Sequence, residues 1–348
     1  MTKNCISSYT LEGLAALVKE LGQPAFRAKQ IFHWLHQKQV TEFSAMTDQP
    51  KTLLAQLDES FYIASPEIQR RQQSKDGTVK FLFRLRDGNC IESVVMRYEY
   101  GNTVCVSTQV GCRMGCRFCA STQAGRVRNL EAGEIVSQLY AAQRDIGERI
   151  SHIVLMGIGE PLDNFDAVMD FIGIVTSQEG ANLSMRNISL STCGLVPMID
   201  RLAEKKLQLT LSISLHAPNN EMRGSMMPVN DAYPVEELIA ACRRYQKTTG
   251  RRISFEYSLV RGVNDSEDTA RQLAKLIRGM GAHVNLIPIN PVDGSPYSAT
   301  DAQNVKHFQQ LLTDLGVNAT VRRRLGQDIS AACGQLRREE ITAREETT

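Results

Sequence analysis

The sequence predicts an α/β fold: an incomplete (β/α)6 barrel with a small accessory domain before it and a tail after it. Three observations carry that reading. From about residue 103, short apolar runs of strand length alternate with longer stretches of helical periodicity. Such alternation builds parallel sheets, because each parallel crossover needs about a helix of chain. The units number six, which suits a partial barrel better than a closed eight-stranded one, and residues 1–90 lack the alternation altogether.

The elements follow in order. "TLEGLAALVKELG" and "PAFRAKQIFHWLHQKQV" read as short amphipathic helices, with Leu11, Leu14 and Leu17 in the first and Phe26, Ile31, Phe32 and Leu35 in the second near helical spacing, separated by the break at Gly22, Gln23 and Pro24. "TVKFLFRLRDGNCIESVVMRY" reads as two paired strands around the Asp87-Gly88 turn. Strands are then expected at 103–107, 152–156, 187–191, 209–215, 253–259 and 283–289, with helices such as "NLEAGEIVSQLYAAQRDIG" and "SEDTARQLAKLIRGMG" between them. A last strand, "NATVRRR", leads into a charged tail. The expected division is 1–90 as an accessory domain of helices then strands that contacts RNA, 91–325 as the core, and 326–348 as the tail.

The chain has 348 residues, 42% of them hydrophobic and 22% charged, enough for a large core. A net charge of +2 gives no overall field for a polyanion. Local groups such as Arg70-Arg71, Arg243-Arg244, Arg251-Arg252 and Arg322-Arg323-Arg324 could still track phosphates. Glu12 and Lys19 interrupt the first stretch and no run of about 18 apolar residues occurs, so a cytoplasmic protein with no membrane association is expected. Nine cysteines, odd in number and unevenly spaced, argue against a disulfide framework and for metal binding or catalysis.

In such sheets function gathers on the loops after the carboxyl ends of the strands. The chemically loaded motifs fall there: "GCRMGCRFC" after the first strand, "GIGEPLDN" after the second, "STCG" at the third, "SLHAP" at the fourth and "NLIPINP" at the sixth. Cys112, Cys116 and Cys119 form C-x3-C-x2-C, without the second cysteine pair or nearby histidine of a structural zinc site. Three thiolates on a four-iron cluster would leave one iron open to a substrate or cofactor. A zinc site borrowing Cys105, or three thiols with no metal, are the competing readings. Gly157 and Gly159 could be simple turn residues, and His216 a structural histidine.

Taken together, these motifs resemble those of radical S-adenosylmethionine (SAM) enzymes. "CVSTQVGCRMGCRFCAST", "RNLEAGEIV", "GIGEPLDN", "SLHAPN", "MPVN", "GVNDS", "NLIPIN" and "DISAACGQL" are similar, along nearly the whole chain, to the RlmN/Cfr family of RNA adenine methyltransferases. The resemblance implies a [4Fe-4S] cluster on Cys112, Cys116 and Cys119, and two SAM molecules per turnover. It also implies methylation of adenine C2 in the peptidyl-transferase region of 23S rRNA and beside the tRNA anticodon. Cys333 would carry the methyl group, Cys105 would attack the sulfur of Cys333 to release product through a transient disulfide, and Glu92 would accept the C2 proton. Gly159, Glu160, Ser191, Ser214, Leu215, His216 and Asn290 would hold SAM. An electron donor such as flavodoxin and a monomeric state are expected with them.

Outside the resemblance, Cys333 reads as a small buried apolar side chain and Glu92 as the outward side of a strand. Arg113, Arg117, Arg126 and Arg128 surround the cysteine loop, where phosphates flanking a flipped base could bind. Ser330 stands where the family commonly has Asp, and Cys193 adds a thiol beside Ser191. Within the resemblance, Pro161 in "GIGEP" points to the C2 branch, since the C8-methylating relative tends to carry Ala there. Methylation of C8, or a non-catalytic metal-containing RNA-binding protein, are the alternatives.

Overall fold

A computed structural model describes residues 3–289, 297–326, 328–329 and 334–345. Its framework is one ten-stranded sheet. In chain order the strands are β1 (Glu67–Gln73), β2 (Val79–Arg84), β3 (Cys90–Tyr98), β4 (Gly101–Cys105), β5 (Ile150–Leu155), β6 (Ile188–Thr192), β7 (Thr210–Ser214), β8 (Ile253–Leu259), β9 (His283–Pro288) and β10 (Asn318–Val321). They lie side by side in sequence order, and the end strands β1 and β10 do not pair with each other, so the sheet stays open. β1 to β4 pair antiparallel, whereas β4 to β10 are all parallel.

The helices are α1 (Leu11–Glu20), α2 (Phe26–His36), α3 (Lys51–Ser60), α4 (Ala132–Ile146), α5 (Phe165–Thr176), α6 (Val196–Glu204), α7 (Asn220–Met226), α8 (Val235–Thr249), α9 (Glu267–Leu276), α10 (Ala302–Asp314) and α11 (Gln335–Glu345). From α4 to α10 they supply the crossovers between parallel strands, giving the six expected β/α units and a closing seventh strand. Local chemistry explains their ends. Thr10 accepts the Gly13 N–H at the start of α1, Glu131 and Glu134 form a reciprocal capping box on α4, and left-handed Gly147 ends α4. Among the described residues no helix is long and apolar enough to cross a membrane.

The N-terminal helices differ in detail from expectation. α1 buries Leu14 and Val18 rather than a Leu11–Leu17 stripe, and Phe26 at the start of α2 is 55% exposed with the Arg27 guanidinium over its ring. Five residues separate Phe26 from Ile31, about 140° of helical rotation, so the two cannot share a face. Ile31, Phe32 and Leu35 do enter the core, which runs without a break from Ile6 to Ala319.

β2 and β3 are buried on both faces. Phe81, Phe83, Ile91 and Val95 join the main core. Leu82 and Cys90, on the other face, pack against Leu336 of α11, so the tail roofs the antiparallel strands.

Candidate active site

At the carboxyl ends of the parallel strands lies a cavity of about 360 Å³. Cys105, Cys112, Cys116 and Cys119 line it, as do Gly159, Glu160, Ser191, Ser214 and His216. Leu215 is fully buried behind the wall. Asn290, Ser330 and Cys333 lie outside the described residues.

The cysteine loop is held by its backbone. Cys112 N–H donates to Gly125 O at 3.0 Å, Cys119 N–H to Cys116 O at 3.1 Å, and Arg117 N–H to Met226 O at the end of α7 at 2.9 Å. Gln109–Gly111 pairs with Arg126–Asn129 so closely that a Cβ on Gly111 would stand 1.9 Å from Gly125 O. Burial pushes the Cys112 thiol up to about 12 and the Cys116 thiol up as well. Both are therefore neutral until a metal displaces their protons. Cys116 also sits in an apolar cluster with Met226, Met227, Val260 and Ile289, a shell that limits solvent access to a bound group.

The donor set fits an iron–sulfur cube. Three soft thiols on one loop face one cavity. A zinc site needs its ligands on one ion-sized position, and among the described residues no three His, Cys, Asp or Glu side chains converge that way. A cube takes each thiolate on a different iron and accepts wider spacing.

Gly157 and Gly159 are required by packing. A Cβ on Gly157 would lie 2.6 Å from Val106 O, and one on Gly159, whose φ is +108°, 2.6 Å from the Gln109 side chain. Glu160 is 4% exposed; its carboxylate accepts Leu162 N–H at 3.0 Å and Cys193 N–H at 2.8 Å, tying the ends of β5 and β6. Burial raises its pKa against the lowering effect of those donors. None of its partners among the described residues is a Lys or Arg. Glu160 thus presents to the cavity a buried carboxyl group braced by backbone donors.

Further round, Ser191 Oγ and Ser214 Oγ stand 3.4 Å apart. His216 has φ +58° and accepts Ser258 N–H on Nδ1 at 3.0 Å, so its proton resides on Nε2. Burial, helped by the charge of Arg223, lowers its pKa to about 3 and keeps the ring neutral. The Phe118 ring meets it edge-on at 4.9 Å.

Sequence reasoning missed Glu256 and Arg223. Glu256 lines the cavity from mid-β8, accepting from Asn285 Nδ2 at 2.7 Å. Its signal was an acid inside the apolar run "ISFEYSL". Arg223 is completely buried; it donates to Cys193 O at 2.6 Å and to Leu215 O, Asn230 Oδ1 and Tyr233 O, bracing the ends of β6 and β7 from behind the cysteine loop.

Two sets of expected residues behave differently. Cys105, 4% exposed at the end of β4, packs with Val94 and Met96 beside Leu325. Glu92 is buried, not outward-facing: it pairs with Lys80 at 3.0 Å and accepts the backbone N–H groups of Gly334 and Arg337. Three of the four loop arginines already have carboxylate partners. Arg113 and Arg126 pair with Asp163, and Arg128 with Asp87 and Glu134. Arg322, Arg323 and Arg324 line the cavity.

Comparison with known proteins follows the same lines. The radical SAM superfamily profile matches residues 106–274, and that of the ribosomal RNA large subunit methyltransferase N-terminal domain matches residues 6–63. A radical SAM methyltransferase from Sphaerobacter thermophilus superposes with a TM-score of 0.90 at 47% identity, covering 95% of this chain and 98% of that one. Fold and cysteine loop define a radical SAM enzyme. A probable dual-specificity RNA methyltransferase RlmN of Clostridium botulinum (strain Eklund 17B / Type B) is 52% identical, over 98% of each chain. One of Clostridium perfringens (strain 13 / Type A) is also 52% identical, over 97% of this chain and 98% of the relative. The chain belongs to the RlmN family of dual-specificity RNA methyltransferases.

Proposed function

We propose that the enzyme methylates C2 of adenine in the peptidyl-transferase region of 23S rRNA and C2 of the adenine next to the tRNA anticodon. The observation that carries this reading is a single cavity lined by three loop thiols, the buried carboxyl group of Glu160 and Cys105. Adenine C2 lies between two ring nitrogens and is too electron-poor to attack a methyl sulfonium, so a radical route is needed.

Cys112, Cys116 and Cys119 would hold the [4Fe-4S] cluster, which supplies the electron that cleaves SAM to a 5′-deoxyadenosyl radical. Glu160 and Gly159 receive the amino end of SAM; Ser191, Ser214, Leu215 and His216 line its ribose side; Asn290 meets the adenosine. Two SAM molecules are consumed per turnover, one to methylate Cys333 and one to provide the radical that removes a hydrogen from that methyl. After the carbon adds to C2, Glu92 accepts the C2 proton and the adduct radical gives up one electron, which would return to the cluster. Cys105 then attacks the sulfur of Cys333, forming a disulfide as the released carbon takes a proton and leaves as the methyl of the base; the disulfide is later reduced with two electrons. Glu92 is engaged by Lys80 and the tail in this structure, so proton acceptance requires those donors to yield.

An electron donor such as flavodoxin, a monomeric working state and a cytoplasmic location accompany this reading. Residues 1–90 serve as an RNA-contacting unit, 91–325 as the catalytic core and 326–348 as the methyl-carrying tail.

The test is digestion of rRNA and tRNA treated with reconstituted enzyme, with separation of 2-methyladenosine from 8-methyladenosine by chromatography and mass spectrometry. The 2-isomer is expected from both RNAs; recovery of only the 8-isomer would overturn the assignment. Cys333→Ala should lose methyl transfer while keeping its iron, and Cys105→Ala should leave RNA covalently attached to the protein.

A further inference from the structure

We propose that Lys80 is a positioning residue that clamps the C-terminal tail through Glu92, and so sets the chain on the far side of Cys333. The inference rests on the assignment of Cys333 as methyl carrier.

Lys80 is completely buried on β2, and Glu92, on the neighbouring strand β3, is 2% exposed. Leu82 is the direct partner of Glu92 and Val94 that of Lys80, so the two charges lie diagonally on one face of the sheet, Nζ to Oε2 at 3.0 Å. A buried carboxylate held by a buried ammonium has lone pairs left to satisfy. The tail satisfies them: Gly334 N–H donates to Oε2 and Arg337 N–H to Oε1, each at 2.7 Å. Both are charge-assisted bonds at the N-terminal turn of α11, where orphan N–H groups favour an anion.

Gly334 is also locked from the opposite side. Its φ is +87°, and a Cβ there would meet Ser121 N at 2.8 Å and Ala120 C at 3.1 Å, two residues or fewer beyond Cys119. The residue after Cys333 is thus wedged between Glu92 and the cysteine loop. Before Cys333 the tail is fastened by the turn between β1 and β2: Gly326 N–H donates to Asp76 at 2.8 Å, and Asp328 accepts from Ser74 Oγ and Lys75 N–H. The antiparallel strands therefore grip the tail on both flanks of the methyl carrier, and Lys80 holds the Glu92 carboxyl in place as the grip.

Two measurements on Lys80→Met test this. The first is hydrogen exchange of the Gly334 and Arg337 amides in the full-length reconstituted protein, read by mass spectrometry. The second is the fraction of Cys333 carrying methyl after anaerobic incubation with SAM and reductant. The clamp predicts exchange faster by about tenfold or more and a Cys333 methyl fraction reduced by about fivefold or more, with Lys80→Arg restoring both. Unchanged exchange in folded Lys80→Met overturns the clamp, and full methylation despite faster exchange overturns the positioning role. If Lys80→Met does not fold, Lys80→Gln, which keeps a polar partner for Glu92 without the ammonium charge, takes its place, and the same two outcomes decide. A wild-type chain whose Cys333 never carries methyl sinks the methyl-carrier assignment and with it the positioning role, while the exchange measurement still decides the clamp.

Discussion

The two halves of the sheet treat charge in opposite ways. Where β4 to β10 end, the buried Glu160 carboxyl, which no Lys or Arg pairs with among the described residues, and the three loop thiols face a cavity. In the antiparallel half, Lys80 and Glu92 complete each other and spend their remaining capacity on the protein's own tail. An incomplete site is one that binds something from outside. A complete one fixes the chain, because a buried ion pair costs desolvation and returns position more than stability.

Removing one member of each set should separate the two halves. The largest effect is expected for Cys116→Ala. Iron should fall from about four per chain to near zero and SAM cleavage by about a thousandfold or more, while thermal unfolding of the metal-free proteins differs little. Iron analysis and calorimetry check this, and retention of a full cube would break the assignment of the loop.

Next is Glu92→Ala, which strands a fully buried ammonium. It should cost about 3–5 kcal/mol in urea unfolding, against a negligible change in iron content. A loss below about 1 kcal/mol would mean that the antiparallel half does not depend on its ion pair.

The smallest effect concerns pH. Burial lowers His36 to about 3, as it does His216. The unfolded chain binds a proton on His36 below its ordinary value of about 6.5, while the folded chain does not. Stability from this group is therefore complete above about pH 6.5 and declines as pH falls towards 3. His36→Met should reduce the slope of unfolding free energy between pH 4.5 and 6 by about 1.4 kcal/mol per pH unit relative to wild type.

What could be read in advance depended on how local its cause is. The cysteine spacing and the glycines beside it are short-range, and the structure brings those cysteines to one cavity with Glu160, Ser191, Ser214 and His216. The parallel strands showed as apolar runs because both their faces are covered. The buried placement of Glu92 was not legible, since it requires the tail to cross from the far end of the chain and roof β2 and β3. Arg113 and Arg126 looked available for phosphate because their shared partner Asp163 lies far along the chain, about fifty residues from Arg113. Phe26 misled through composition: it extends an apolar pattern but points away from its face.

The central claim is an iron–sulfur cube with one iron left for SAM. Electron paramagnetic resonance of the anaerobically reconstituted, reduced protein, recorded with and without SAM, tests it most directly. The account predicts a [4Fe-4S] signal from protein with about four irons per chain, and a clear change in that signal when SAM is added. A colourless zinc protein, or a cube whose signal ignores saturating SAM because every iron is already capped, would contradict it.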